Sequence, residues 1–216
     1  PTCLPDTMMI AAICAREDPR DVLVSNQYAD LAKLPQGASI GTASLRRASQ
    51  LLRKRPDLTL SLLRGNINTR LKQLDEKRYD GIILAAAGLL RLGLTDRIAQ
   101  YLDLDGHIPA SGQGVICVEI NRKRRDLLPY LTCLHDETTA LCLDMERAVL
   151  HQMEAGCESP IGCYAYCEHQ RLYLHVYVGD RNGQIYYEEK LNIPMTDRSG
   201  AQAVGSQVGQ LLLDQG

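Results

Sequence analysis

The stretch Ala38–Arg70, ASIGTASLRRASQLLRKRPDLTLSLLRGNINTR, decides the fold. Two short apolar runs, Ala38–Gly41 and Leu58–Leu63, each end in a turn of small residues. Each turn opens a segment with helical spacing, Ser44–Lys54 and then Asn68–Glu76. Thr42 or Ser44 can cap the first helix, and Asn66 or Asn68 the second. Strand, turn and helix, repeated, predict a parallel or mixed sheet covered on both faces. A strand that delivers a helix N-terminus presents free N–H groups and the positive end of the helix dipole. Arg46 and Arg47 stand at the first opening, and Arg64 and Arg70 around the second. Guanidinium forks grip oxyanions in pairs, so these turns predict a site for a ligand carrying several carboxylates or phosphates.

The charge is local. Of 24 Lys+Arg and 26 Asp+Glu, eight basic residues and one acidic, Asp57, fall between Arg46 and Lys72, leaving 16 basic against 25 acidic elsewhere. One basic pocket on an acidic background argues against a nucleic-acid-binding domain, which needs a broadly basic surface. Arg53, Lys54 and Arg55 are expected on a solvated helix face.

Working outward, Met8–Cys14 is a continuous apolar run expected as a buried strand, and Val22–Ser25 a short one. Ala29–Leu34 suits a short helix or turn. Asp80–Ala85 is the next strand, followed by helical spacing over Ala87–Leu92 and again over Asp96–Tyr101. Ligands of such sheets bind beyond the C-terminal strand ends, where the arginines fall, Arg91 among them. Residues 104–114 are rich in Gly, Pro and Ser, and suit a hinge between two lobes. The Gly112–Gly114 pair precedes a strand instead of following one, so it is not a dinucleotide motif. Asp136 is placed to cap a helix that runs to a stop at Ala155-Gly156. Gly162–Glu168, Leu172–Val178 and Gln184–Leu191 predict a three-stranded antiparallel sheet with hairpin chemistry at Gly179–Gly183. Ala201–Leu213 predicts a closing amphipathic helix.

The 216 residues, 45% hydrophobic and 23% charged, are ordinary for a globular chain, though Phe and Trp are absent. The longest apolar run, near 82–90, is too short to span a bilayer, and PTCLPDTMMI lacks the basic start of a signal peptide. That beginning, without Met and in mid-loop, is expected of a piece of a longer chain. The eight cysteines are expected to be mostly buried, inert thiols in a reducing compartment. Cys157 differs, because EAGCESPIG puts it on a loop, where a thiol can be a nucleophile or an attachment point for a covalent cofactor. Cys157, Cys163 and Cys167 are poorly spaced for zinc. No metal site is expected, and the five histidines form no catalytic pattern.

Five segments, GTASLRRASQL, LRGNINTRL, DGIILAAAGLLRLGL, IPASGQG and EAGCESPIG, occur in that order and resemble the motifs of the porphobilinogen deaminase (hydroxymethylbilane synthase) family. The resemblance covers essentially the whole chain. It implies an α/β fold with bilobal, periplasmic-binding-protein-like domains 1 (partial) and 2 built on mixed sheets. A small α+β C-terminal domain with a three-stranded antiparallel sheet completes it. Residues 1–15 and 115–130 would be the remnant of domain 1, 18–106 domain 2, 107–114 the hinge crossover and 136–216 domain 3.

The implied activity is that of a cytoplasmic, monomeric transferase of haem and tetrapyrrole biosynthesis. Four porphobilinogens would be condensed into hydroxymethylbilane with loss of ammonia, on a dipyrromethane primer joined to Cys157 by a thioether. The family's pattern assigns the carboxylates to Ser44, Arg46, Arg47, Arg64, Arg70 and Arg91, with backbone help near Thr42, Gly65, Asn66 and Gly88, and sets Gln113 in the second crossover. Ala43 departs from it, since many relatives carry Ser there. The family's catalytic aspartate, in a Lys-Asp motif, would lie before Pro1, so no catalytic residue is expected in this chain, which alone would be inactive. The alternative is a non-catalytic bilobal anion-binding module. Neither a nucleic-acid nor a membrane partner is expected.

Overall fold

The computed structural model describes residues 4–156 and 159–215. In chain order its elements are β1 (Met8–Ile13), β2 (Asp21–Val24), β3 (Ser39–Gly41), α1 (Leu45–Lys54), β4 (Thr59–Ser61), α2 (Ile67–Asp75), β5 (Gly81–Ala85), α3 (Ala86–Arg91), β6 (Ile98–Tyr101), β7 (Cys117–Asn121), α4 (Leu128–Leu131), α5 (Glu137–Gln152), β8 (Ile161–Glu168), β9 (Arg171–Gly179), β10 (Tyr186–Pro194) and α6 (Arg198–Asp214).

The quoted stretch builds the middle of a five-stranded mixed sheet, ordered β4-β3-β5-β2-β6. β3 runs parallel to β4 and β5, while β2 lies antiparallel to β5 and β6. Strand alternation divides the core into two layers. Val22, Val24, Ile82 and Leu84 point to one face and pack with Leu71, Leu74 and Leu89 of α2 and α3. Leu23, Ile40 and Ile83 point to the other, against Leu51 of α1. The caps are Ser44, whose side chain accepts from the Arg47 N–H, and Asn66, which accepts from the Thr69 N–H.

β1 and β7 form a separate antiparallel pair. β1 is buried only at its end, at Ala12 and Ile13, because among the described residues it pairs with β7 alone. The connections leaving this pair run side by side, with Cys14 N donating to Ile116 O at 2.9 Å and Glu17 N to Gly114 O at 3.1 Å. β8, β9 and β10 form the three-stranded antiparallel sheet, with α5 and α6 packed on one face. The two helices approach closely at Gly205, where a Cβ would stand 2.3 Å from Met145 O.

Three local expectations are corrected. Asp96–Tyr101 is not helical: a 3₁₀ turn at Thr95–Arg97 leads into β6, drawn into the sheet by pairing with β2. α5 ends in a left-handed turn at Glu154, φ 49°, before Gly156 is reached. Of the described cysteines, Cys142 and Cys163 are buried, but Cys117 and Cys133 are exposed and Cys14 and Cys167 intermediate.

Candidate functional site

The first turn of α1 aims Arg46 and Arg47 under the sheet edge at one carboxylate. Asp21, fully buried at the start of β2, takes Arg46 Nη1 on Oδ2 at 2.7 Å and Arg47 Nη2 on Oδ1 at 2.7 Å. Burial by itself would raise the Asp21 carboxyl, but Arg46 and Arg47, with His107, hold it well below the usual range. The His107 Nε2 lies 3.2 Å from Asp21 Oδ2. Burial lowers the pKa of that imidazole, and although Asp21 pulls the other way, Arg46 and Arg47 reinforce the lowering.

Gln113 completes the knot. Its Oε1 accepts from Arg46 Nη2 at 3.2 Å, and its Nε2 donates to Pro19 O at 2.6 Å and to Asp21 Oδ1 at 3.0 Å. Buried Gln50 donates to Ile108 O at 3.0 Å and accepts from its N–H at 2.6 Å, fastening α1 to the second crossover. Asp21, His107 and Gln50 are the residues that sequence reasoning missed. Asp21 had one signal, a carboxylate opening an otherwise apolar strand.

The expected binding residues divide between two cavities. One, of about 490 Å³, is lined by Ser44 and Arg46, by Ser111 of the crossover, by Arg147 of α5, and by Ala155, Gly156 and Ser159. The last three flank Cys157 in the sequence; Cys157 itself lies outside the described residues. Arg46 Nε is buried without a hydrogen-bond partner among the described residues. The other cavity, of about 560 Å³, is lined by Arg47, Gly65, Asn66, Arg70 and Gly88. Burial, and then the charge of Arg47, lower the pKa of Arg70. Two like charges facing one hollow make an anion acceptor. Gly65 opens that loop at φ 112°, a backbone conformation for which glycine is suited.

The remaining expected residues lie at or beyond the rim. Arg64 is exposed and, among the described residues, its guanidinium makes no ion pair. Arg91 is exposed and donates to Gly114 O at 2.8 Å. Thr42 is buried, its Oγ1 accepting from the Ser44 N–H at 3.2 Å. The solvated face expected of Arg53, Lys54 and Arg55 holds for Lys54. Arg53 instead donates to Glu188 at 3.0 Å, and Arg55 to Asp57 at 2.7 Å. Among the described residues no His, Cys, Asp and Glu cluster could hold a metal, and no helix is long and apolar enough to cross a membrane.

A family model described as "Porphobilinogen deaminase, dipyromethane cofactor binding domain" matches residues 1–128, and one described as "Porphobilinogen deaminase, C-terminal domain" matches residues 140–214. The chain belongs to the porphobilinogen deaminase family. It carries that family's dipyrromethane cofactor-binding domain, with Arg46, Arg47, Arg64 and Arg70 inside the matched region.

Similar solved structures include a putative methionine-binding lipoprotein from Bacillus subtilis, at 11% identity and TM-score 0.41, covering 62% of this chain and 64% of that one. A nutrient binding protein from Burkholderia cenocepacia bound to methionine has 14% identity and TM-score 0.38, covering 59% and 61%. A Salmonella typhimurium periplasmic binding protein described for high arginine specificity has 16% identity and TM-score 0.36, covering 61% and 58%. The chain thus spans less than two thirds of each of these proteins.

The site suits the porphobilinogen deaminase cofactor. Asp21 balances one of the two charges it holds, leaving a surplus on Arg46 and Arg47 to which Arg70 adds. Arg46 also keeps a buried donor, Nε, without a hydrogen-bond partner among the described residues.

Proposed function

We propose that the protein to which this chain belongs is a porphobilinogen deaminase, joining four porphobilinogens into hydroxymethylbilane with release of ammonia. One observation carries the proposal: the cavity of about 490 Å³ brings Ser44 and Arg46 to the same hollow as the residues flanking Cys157. A primer joined by a thioether to Cys157 would enter that hollow with its carboxylates facing guanidinium. When bound, dipyrromethane supplies the free α-carbon on which the chain grows. The residues here hold and orient. Arg46, Arg47 and Arg70 offer charge-assisted bonds worth about 1.5–3 kcal/mol each, Arg64 and Arg91 stand at the rim, and Ser44, Thr42 and the loops at Gly65, Asn66 and Gly88 frame the approach. Tethering makes each coupling effectively intramolecular.

The acid expected to stabilise the reacting cation belongs to a Lys-Asp motif, and the 216 residues contain no Lys-Asp pair. Asp21 does not replace it, because Arg46, Arg47 and Gln113 occupy both of its oxygens. The chain by itself is therefore expected to be inactive. We further propose that 18–106 is the anion-binding domain, that 107–114 is the hinge, and that the protein acts as a cytoplasmic monomer.

Intact-mass measurement and peptide mapping test the proposal. Dipyrromethane mass on the Cys157 peptide, lost in Cys157→Ser, is the expected result. A bare thiol in protein made in tetrapyrrole-producing cells would overturn it in favour of a non-catalytic anion binder.

A further inference from the structure

The described cysteines are all free, and two of them touch. Cys142 of α5 and Cys167 of β8 bring their Sγ atoms to 3.7 Å. Cys142 is buried and Cys167 half-buried. Both line a cavity of about 260 Å³ whose other walls include Arg16, Glu17, Thr139 and Tyr164. The cavity gives a small polar oxidant a way to the half-buried Cys167, the more exposed of the two thiols that line it. A disulfide requires the sulfurs to close to about 2.05 Å, which side-chain rotation on two facing elements can supply.

We propose that Cys142 and Cys167 are a reversible oxidation site, closing to a disulfide when the protein meets a peroxide. The Cys167 thiolate attacks one peroxide oxygen and the O–O bond breaks, leaving Cys167 sulfenic acid and hydroxide. Cys142 sulfur then attacks the sulfenic sulfur and its S–O bond breaks. The Cys142 proton and that hydroxyl leave as water. In sum two thiols are oxidised and one peroxide is reduced to two waters. Burial raises the pKa of Cys142, and the neighbouring Cys167 adds to the effect. Cys142 is thus a poor first attacker and fits the resolving role.

The bond would fasten α5 to β8 inside the C-terminal unit, one helical turn before Glu146 and two residues beyond Ala165. In the sequence it would also clasp the two ends of the segment that carries Cys157. The inference is independent of the proposed function, since it needs no ligand and no turnover.

The test treats the full chain with graded hydrogen peroxide, alkylates the remaining thiols, and digests without reductant for mass spectrometry. The expected product is a Cys142–Cys167 cross-linked peptide, lighter by two hydrogens and split by dithiothreitol. Cys167→Ser should abolish it and return Cys142 as an alkylated thiol. Cys142→Ser should leave Cys167 as a sulfenic acid captured by dimedone. Circular dichroism verifies that both variants fold. Recovery of unmodified Cys142 while Cys167 advances to sulfinic acid, or a cross-link from Cys142 to another cysteine instead, would overturn the proposal.

Discussion

Asp21 holds two guanidiniums with one carboxylate, and the imbalance governs both stability and ligand preference. Removing its charge would leave Arg46 and Arg47 buried and uncompensated. Asp21→Asn is therefore expected to cost about 3–5 kcal/mol, measured by urea unfolding. A loss under 1 kcal/mol would mean that the arginines find solvent. His107 adds a pH dependence of known sign. Its folded pKa lies below the ordinary 6.5, so the unfolded chain takes up a proton that the folded one refuses. The stability tied to the neutral ring is complete above pH about 6.5 and declines as the pH falls through the window beneath. Melting curves between about pH 6.5 and 5 should show a steeper fall for the native protein than for His107→Gln, which has nothing to protonate. Arg70 is the site residue best suited to a direct test. Among the described residues its guanidinium makes one hydrogen bond, Nε to Gly65 O at 2.7 Å, and burial beside Arg47 weakens its hold on its proton. Arg70→Ala should weaken porphobilinogen binding to the cofactor-bearing protein roughly 10- to 100-fold by calorimetry, the loss of one charge-assisted bond.

At the scale of elements, what was legible was what is local. Caps at Ser44 and Asn66, the strand-turn-helix repeat and the hairpin at 179–183 are governed by neighbours a few residues away, and all lie where their residues indicate. Asp96–Tyr101 was misread because its spacing suits a helix in isolation, while pairing with β2 supplies hydrogen bonds that spacing cannot display. The burial of Asp21 and Glu146 was illegible for the same reason. One looks like the tail of a polar turn and the other like the outer face of an amphipathic helix, until residues far along the chain bury them. The hairpin also shows how an element is docked. Gly183 has φ 68°, and a Cβ there would stand 2.2 Å from Ser49 O of α1. Gly93 has nearly the same backbone, φ 67°, with nothing within 4 Å. Both Gly→Ala changes carry the left-handed backbone cost of roughly 1–2 kcal/mol, and only Gly183→Ala should add a docking loss. Thermal melts of the two variants measure the difference, and equal shifts would show that the turn yields freely.

Across the whole molecule the three sheets converge on Glu146. Its Oε1 accepts from Arg16 of the first crossover at 2.7 Å and from the Ala165 N–H of β8 at 2.8 Å, and its Oε2 from the Gly112 N–H of the second crossover at 2.7 Å. Burial raises the pKa of this carboxyl, a rise that Arg16 and the two N–H groups oppose without cancelling. Three donors with no acceptor opposite them call for the ionised form. Glu146 thus ties both connections between the β1–β7 pair and the five-stranded sheet to the C-terminal unit, which in the proposed function holds the growing chain. Glu146→Gln keeps the shape but places an N–H₂ where a carboxylate oxygen accepted, turning one donor against another and leaving Arg16 without its counter-charge. The cost should be about 3–5 kcal/mol, concentrated at the joint. In hydrogen exchange the Gly112 and Ala165 amides should lose protection by two or more orders of magnitude, while Val176 and Leu174 in the centre of β9 keep theirs. Uniform loss across β9 would mean that Glu146 stabilises the C-terminal unit alone, and unchanged rates at both amides would mean that the three sheets are joined elsewhere.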